Sequence, residues 1–238
     1  MTASSQPSSF KCLDIAASFY VAILLVSNIA SSAKIVDLGF SLFAVPLAFD
    51  GGTLLFPLAY VLGDVLTEVY GFKTARRVIW TGFAALSLSV LVFFVLRILP
   101  PEAFWEAESG SVAYNTILGG MSSGGIALAS LLAYLAGEFS NSVILSKMKI
   151  KMQGRLLWVR TIGSTLIGEM LDTLIFVLVA SAFGVFGWGL FWSLVITNYI
   201  LKCGIEAIMT PFTYWLSRFL KRKEGIDVYD TGIKYTLF

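Results

Sequence analysis

Charged and polar side chains recur at helical spacing within three stretches that are as apolar as membrane spans. Each stretch places its set on one helical face, and the sets are Asp64 with Glu68, Glu169 with Asp172, and Asn198 with Lys202 and Glu206. A charged residue near the centre of a bilayer costs about 2.5–3.5 kcal/mol on insertion scales, so such residues usually face a bundle interior or a wet cavity. These residues are therefore the first candidates for a binding site.

A structural ion pair is the competing interpretation of this set. Lys202 could pair with Glu206 one turn on, or with Asp172 across helices, and so neutralise its own cost. One lysine leaves most of the acids without a partner, however, and a donor-rich ligand would compensate them. At 1.5 Å per residue, Glu169 and Asn198 fall roughly 15 Å inside their spans, close to the midplane.

The composition places these residues in a membrane protein. The chain has 238 residues, of which 57% are apolar and only 13% charged, which is outside the range of soluble domains. The apolar runs are about 20 residues long, which suits spanning helices and not the shorter strands of a barrel. The sequence has no His, so His-dependent nucleophilic triads, zinc sites and proton relays are excluded. It also has no P-loop for ATP hydrolysis.

We predict an all-α, polytopic integral membrane protein that forms a single domain over residues 1–238. Its six transmembrane helices are expected at residues 13–33, 53–70, 75–99, 117–142, 158–183 and 188–216. The apolar stretch 35–49 between the first two is too short to span and is broken by Gly39 and Pro46. A re-entrant loop or a short hairpin is expected there.

The distribution of cations predicts the orientation. Lysines and arginines cluster after the second, fourth and sixth spans, and the loops between carry few. The positive-inside rule makes the cationic loops cytoplasmic. The N-terminal tail (1–12) and the C-terminal tail (217–238) are then both cytoplasmic, and we expect the first span to be retained because a signal peptide's features are missing. Gly120 and Gly124 form a small-residue face that suits either packing within the monomer or homodimerisation.

Several segments carry a resemblance to a known family, and the most specific is Asp-Val-Leu-Thr-Glu-Val-Tyr-Gly at 64–71. The others lie at 34–36, 56–60, 75–77, 145–149, 160–176 and 202–211. Over nearly its whole length the chain resembles the queuosine precursor transporters, also called the vitamin uptake transporter family. The resemblance implies a bacterial inner-membrane importer of 7-cyano-7-deazaguanine, 7-aminomethyl-7-deazaguanine or queuine for tRNA modification. It does not imply which of them is carried.

The polar set suits such a purine-like substrate. A guanine-like edge presents adjacent N–H donors, which a carboxylate accepts as a pair, and a carbonyl that accepts from Lys or Asn. We expect Glu169 or Asp172 to bind the donor edge, Lys202 and Asn198 to bind the carbonyl and ring nitrogen, and Phe176 to stack on the ring. Asp64 and Glu68 would bind substrate, close a gate or carry a proton, and Glu206 completes the predicted substrate-binding set.

Two other functions stay open at this stage. One is a substrate-binding subunit that needs a separate ATPase and coupling protein for transport. The other is an intramembrane aspartyl protease, prompted by Gly63-Asp64, although position 61 is Val where those enzymes resemble Gly-x-Gly-Asp, and Tyr-Asp occurs only at Tyr229-Asp230 in the tail. We expect a non-enzyme surrounded by membrane lipid, with no catalytic residue, cofactor, metal or nucleic-acid partner. A coupling ion or proton and the oligomeric state are left open.

Overall fold

The computed structural model describes residues 10–42, 45–108, 110–122, 124–185 and 187–237. Within these ranges the chain forms eight α-helices and one β-hairpin. The elements are α1 (Leu13–Ala33), β1 (Ile35–Leu42), β2 (Val45–Asp50), α2 (Phe56–Tyr70), α3 (Phe72–Ile98), α4 (Ala103–Glu108), α5 (Gly110–Ser122), α6 (Gly124–Lys151), α7 (Leu157–Ala182) and α8 (Phe191–Glu224).

The helices confirm the predicted all-α membrane class. Five helical segments are long and apolar enough to cross a membrane: α1, α3, the stretch Gly110–Lys151 that contains α5 and α6, α7 and α8. The second predicted span corresponds to α2, which has only 15 residues and is therefore about 22 Å long. The chain is a multi-pass membrane protein, and the count of six spans stays a prediction.

Helix α2 is the most buried element and the centre of the bundle. It packs against α1, α3, α6 and α8, and both Asp64 and Glu68 are buried with its apolar side chains. Pro57 lies in its first turn, where a missing N–H costs no helical hydrogen bond. Large apolar side chains of α3, such as Leu88, Leu91 and Phe94, are instead exposed and form a surface suited to lipid.

The segment between α1 and α2 is a β-hairpin, which is one of the two forms predicted for it. β1 and β2 pair antiparallel, with Ile35 opposite Asp50 and Leu42 opposite Val45. The pairing satisfies the backbone polar groups that the two strands turn toward each other. The Gly51 N–H donates to the Lys34 carbonyl at 2.8 Å and closes the base of the hairpin.

The fourth predicted span falls across two helices, α5 and α6. Helix α5 packs against α1 and α3, and the Ser32 hydroxyl of α1 donates to the Ile117 carbonyl at 2.9 Å. A Cβ on Gly120 would lie 2.7 Å from the Ser32 hydroxyl oxygen, whereas one on Gly124 would meet nothing within 4 Å. Gly120 thus supports close packing inside one chain, which is one of the two alternatives predicted for this face.

The C-terminal segment after α8 folds back onto the start of α3. Asp230 accepts hydrogen bonds from the backbone N–H of Phe72 at 2.8 Å and from the Ser146 hydroxyl at 2.6 Å. The turn between α2 and α3 is made by Gly71 at φ +82°, and a Cβ there would lie 2.7 Å from Val228 of the returning segment. A glycine is therefore required both by the backbone angle and by the docked segment.

Candidate functional site

A cavity lies between α1, α2, α6, α7 and α8, in the half of the bundle that contains the beginnings of α2, α6 and α8. The opposite half ends in the cationic loops after α2, α6 and α8, and we call it the basic end. The cavity is lined by Leu24, Asn28, Ser31, Phe56, Ser130, Ala133, Tyr134, Asp172, Thr173, Phe176, Asn198 and Lys202. Four of the eight predicted site residues, Asp172, Phe176, Asn198 and Lys202, line it.

Lys202 is the charged centre of this cavity. Its Nζ donates to Asp172 Oδ2 at 2.5 Å and lies 3.1 Å from Glu169 Oε2. Asp172 and Glu169 are one turn apart on α7, so both reach the same lysine on α8. Glu169 Oε2 has no hydrogen-bond partner, so its contact with Lys202 is an ion pair without a hydrogen bond. One acid is thus directly bound, and the second is an ion-pair partner with acceptor capacity to spare.

Rings and amides lie around this charged centre. The Lys202 ammonium is 4.8 Å from the centroid of the Phe56 ring, which is close enough for a cation–π interaction. Phe176 lies one turn beyond Asp172 on α7, and Asn198 lies one turn before Lys202 on α8. The cavity therefore combines acceptor carboxylates, a cation, an amide and aromatic faces, which together suit a flat, polar, nitrogen-rich molecule.

Asp64 lies outside the cavity lining, beside helix α6. Its Oδ1 accepts a hydrogen bond from the Asn141 side-chain amide at 2.7 Å, and its Oδ2 is buried without a partner. Glu206 also lies outside the cavity lining and is buried on α8 with neither carboxylate oxygen hydrogen-bonded. Of the two pairings considered for Lys202, the one with Asp172 is formed and the one with Glu206 is not.

Glu68 belongs to a separate ion cluster at the basic end. Arg160 donates to both of its carboxylate oxygens, at 2.5 and 3.2 Å, and Lys221 donates to Oε1 at 2.6 Å. Lys149 lies 3.7 Å from Oε1 and donates to the Glu68 backbone carbonyl at 2.6 Å. We call these four residues the Glu68 cluster. It joins α2, α6, α7 and α8, so the structure does not bring Glu68 to the cavity.

Comparison with known protein families places the chain among transporters. Residues 50–216 match the family described as "Putative vitamin uptake transporter". The chain belongs to this transporter family. No solved structure matches the transporter.

The transporter is also similar to bacterial proteins that carry a more specific name. A "Probable queuosine precursor transporter" from Bacillus subtilis (strain 168) is 28% identical over 174 residues, which cover 73% of each chain. A "Queuosine precursor transporter" from Escherichia coli (strain K12) is 26% identical over 180 residues, which cover 76% of this chain and 73% of the relative. A "Probable queuosine precursor transporter" from Haemophilus influenzae is 25% identical over 129 residues, which cover 54% and 50%.

Several residues of the transporter's two sites were not predicted as site residues. An amide within an apolar helix is also typical of a helix–helix hydrogen bond, so Asn28 was not among the predicted site residues. It donates to the Leu24 carbonyl at 2.8 Å and also lines the cavity. Phe56 carried no signal that separates it from the other phenylalanines. Arg160 was visible as a cation near the start of α7, but its partner on α2 was not. Among the residues that the structure describes, no group of three or more acids or cysteines is arranged to hold a metal ion.

Proposed function

We propose that this transporter imports queuosine precursors, the 7-deazaguanines 7-cyano-7-deazaguanine, 7-aminomethyl-7-deazaguanine or queuine, as its small-molecule substrate. Relatives named as queuosine precursor transporters over most of the chain support the substrate class. The observation that carries the proposal is the contact of Lys202 with Asp172 and Glu169 inside a cavity that also holds Asn198 and Phe176. Such a site offers both acceptors and donors to a guanine-like ring.

The recognition chemistry follows from the exchange of one donor for another. Lys202 is the hydrogen-bond donor to Asp172 within the protein. A guanine-like edge carries two adjacent N–H groups that match the two oxygens of a carboxylate, so the substrate would take Asp172 while Lys202 stays with Glu169 and donates to the ring carbonyl. Asn198 would complete the polar contacts, and Phe176 would stack against the ring.

We place the protein in the bacterial inner membrane with the basic end and both termini in the cytoplasm, as the positive-inside rule requires. The cavity then lies in the outer half of the bundle, and the Glu68 cluster closes the cytoplasmic half. Import requires this cluster to open after substrate has bound, since it joins the four helices that the substrate must pass. Gating is therefore the role that we assign to Glu68.

The first test is binding followed by transport with the purified full-length protein. A native-state ligand raises the unfolding temperature by mass action, so 7-cyano-7-deazaguanine, 7-aminomethyl-7-deazaguanine, queuine and guanine are compared by thermal shift. We expect a selective shift with a deazaguanine. Asp172→Asn, which cannot accept both ring donors, should lose it, and Glu102→Gln, an exposed acid outside the helices, should keep it. A protein that is folded but unshifted by every deazaguanine would contradict the proposal.

The same protein in lipid vesicles separates the transporter from the ATPase-coupled alternative. Uptake by the chain alone, without ATP or a second protein, is the expected result, and uptake that appears only with an added ATPase would favour the alternative.

We propose no enzymatic activity and no cofactor. The protease hypothesis loses its second motif, because Asp230 is engaged by Phe72 and Ser146 at the basic end. Homodimerisation stays untested.

A further inference from the structure

Three buried carboxylates on three different helices have no salt-bridge partner, and not all of their oxygens are hydrogen-bonded. They are Asp64 on α2, Glu138 on α6 and Glu206 on α8, and their side chains are 0%, 3% and 3% exposed. Asp64 Oδ2, Glu138 Oε2 and both oxygens of Glu206 have no hydrogen-bond partner. Among the residues that the structure describes, no salt bridge reaches any of the three. The cavity and the Glu68 cluster explain none of them.

The local geometry holds these groups near one another. Asn141 donates to Asp64 Oδ1 at 2.7 Å, and its own Oδ1, on a residue only 1% exposed, has no partner. A Cβ on Gly63 would lie 2.9 Å from Glu138 Oε2. The glycine before Asp64 thus lets the Glu138 carboxylate approach the backbone of α2. Glu206 is close enough to Asp64, Glu169 and Glu138 to interact with them electrostatically.

The neighbouring cations are already committed elsewhere. Lys202, one turn before Glu206, is held by Asp172 and Glu169, and Arg160 is held by Glu68. The titratable and charged groups that face the three carboxylates from the packed helices are Tyr20 of α1, Tyr60 and Glu68 of α2, Tyr134 of α6, Arg160, Glu169 and Asp172 of α7, and Cys203 of α8. Tyrosines and acids therefore dominate this environment.

We propose that Asp64, Glu138 and Glu206 form a proton-binding site that couples substrate import to proton entry; this rests on the proposed function of import. An ionised carboxylate buried without a partner is so costly that the group takes a proton instead. A proton suits the site better than a metal ion, because the three acids do not converge in a metal-binding arrangement among the described residues.

Helix α8 links this site to the substrate site. Lys202 and Glu206 are one turn apart on α8, and Lys221 on the same helix binds Glu68 at the basic end. A movement of α8 that accompanies substrate binding at Lys202 would therefore also move Glu206 relative to Asp64 and Glu138. A proton bound from outside would leave to the cytoplasm once the Glu68 cluster opens, and the carboxylates would then be ready for the next proton.

The experiment uses the full chain in vesicles that enclose a pH-sensitive dye. With 7-cyano-7-deazaguanine outside, the wild-type protein should acidify the vesicle interior as substrate enters. With one proton per substrate, an imposed gradient of one pH unit should drive accumulation of about tenfold. Exchange of labelled for unlabelled substrate across the membrane needs no net proton movement and is measured in parallel.

Glu206→Gln keeps the shape of the side chain but cannot release a proton. We expect this variant to retain thermal-shift binding and substrate exchange while losing acidification and gradient-driven accumulation. Glu138→Gln is the second variant if Glu206→Gln does not fold, and Glu102→Gln is the matched exposed control that should behave as wild type. Wild-type uptake without acidification, or unchanged accumulation by both glutamine variants, would overturn the proton site. If the wild-type protein neither bound nor exchanged 7-cyano-7-deazaguanine, the import function itself would be contradicted.

Discussion

Arg160 on α7 donates two hydrogen bonds to Glu68 on α2, from Nη1 to Oε2 at 2.5 Å and from Nη2 to Oε1 at 3.2 Å. Both side chains are 1% exposed. The contact fixes the C-terminal end of α2 against the N-terminal end of α7, and Lys221 adds α8 to the same carboxylate. A single acid therefore holds together the helices that surround the candidate path to the basic end.

Arg160→Gln should destabilise the protein strongly. Removal of one partner of a buried pair typically costs about 3–5 kcal/mol, because the other charge stays buried and uncompensated, and here Lys221 would offset only part of that loss. We expect a large fall in the unfolding temperature in detergent. Arg155→Gln, which changes an exposed arginine five residues earlier, is the matched control and should leave the unfolding temperature unchanged. Equal stability of the two variants would show that the pair does not hold the closed bundle.

Phe176→Ala should weaken substrate binding. Stacking of a base on an aromatic side chain is worth about 1–3 kcal/mol, so the dissociation constant for the bound deazaguanine should rise by the corresponding factor. Phe176→Tyr keeps an aromatic face and should bind nearly as well as wild type. Isothermal titration on both variants provides the measurement, and an unchanged affinity in Phe176→Ala would remove this ring from the site.

The sequence predicted the apolar framework well because hydrophobic length and helix breaks are local properties. Helix α1 begins and ends at the predicted residues, and the segment after it is a hairpin, one of the two forms expected there. The ion pair between Lys202 and Asp172 was also foreseen, as the structural alternative to ligand binding. The two residues of this pair are unusual in a membrane span, and such residues are visible without a structure.

What could not be predicted is which distant residues meet. Glu68 and Arg160 are 92 residues apart in the sequence, and Glu68 and Lys221 are 153 apart. Their contacts therefore depend on how α2, α7 and α8 are positioned relative to one another along their axes. The same packing gives Glu68 and Asp64 different partners, although they lie one turn apart on α2: Glu68 binds Arg160 and Asp64 binds Asn141. Glu138 was not among the predicted site residues, because a single acid on one helix carries no sign that two other helices bring acids to it.

Single-cysteine labelling should show that the basic end faces the cytoplasm. In a background with Cys12→Ser and Cys203→Ser, a cysteine at Glu108 lies on the exposed α4 and a cysteine at Lys151 lies at the exposed end of α6. A membrane-impermeant maleimide added to spheroplasts, or to right-side-out inner-membrane vesicles, should label Glu108→Cys without opening the membrane. Lys151→Cys should react only after the membrane is opened. The reverse pattern would invert the proposed orientation and make the cavity cytoplasmic.

The docked C-terminal segment should respond to acid through Asp227. Burial alone raises the pKa of Asp227, but hydrogen bonds and charges from Lys149 and Lys221 outweigh it and lower the pKa below its ordinary value of 3.8. A group whose pKa is lowered in the folded state stabilises that state above its unfolded pKa, and the contribution is lost as the pH falls through the folded value. Docking is therefore stable at neutral pH and weakens below about pH 3.8.

A spin label on a cysteine placed at the exposed Lys234 would report this as increased mobility on acidification. Asp227→Asn should raise the mobility already at neutral pH and flatten its change with pH, whereas an unaltered profile in that variant would assign the transition to another acid.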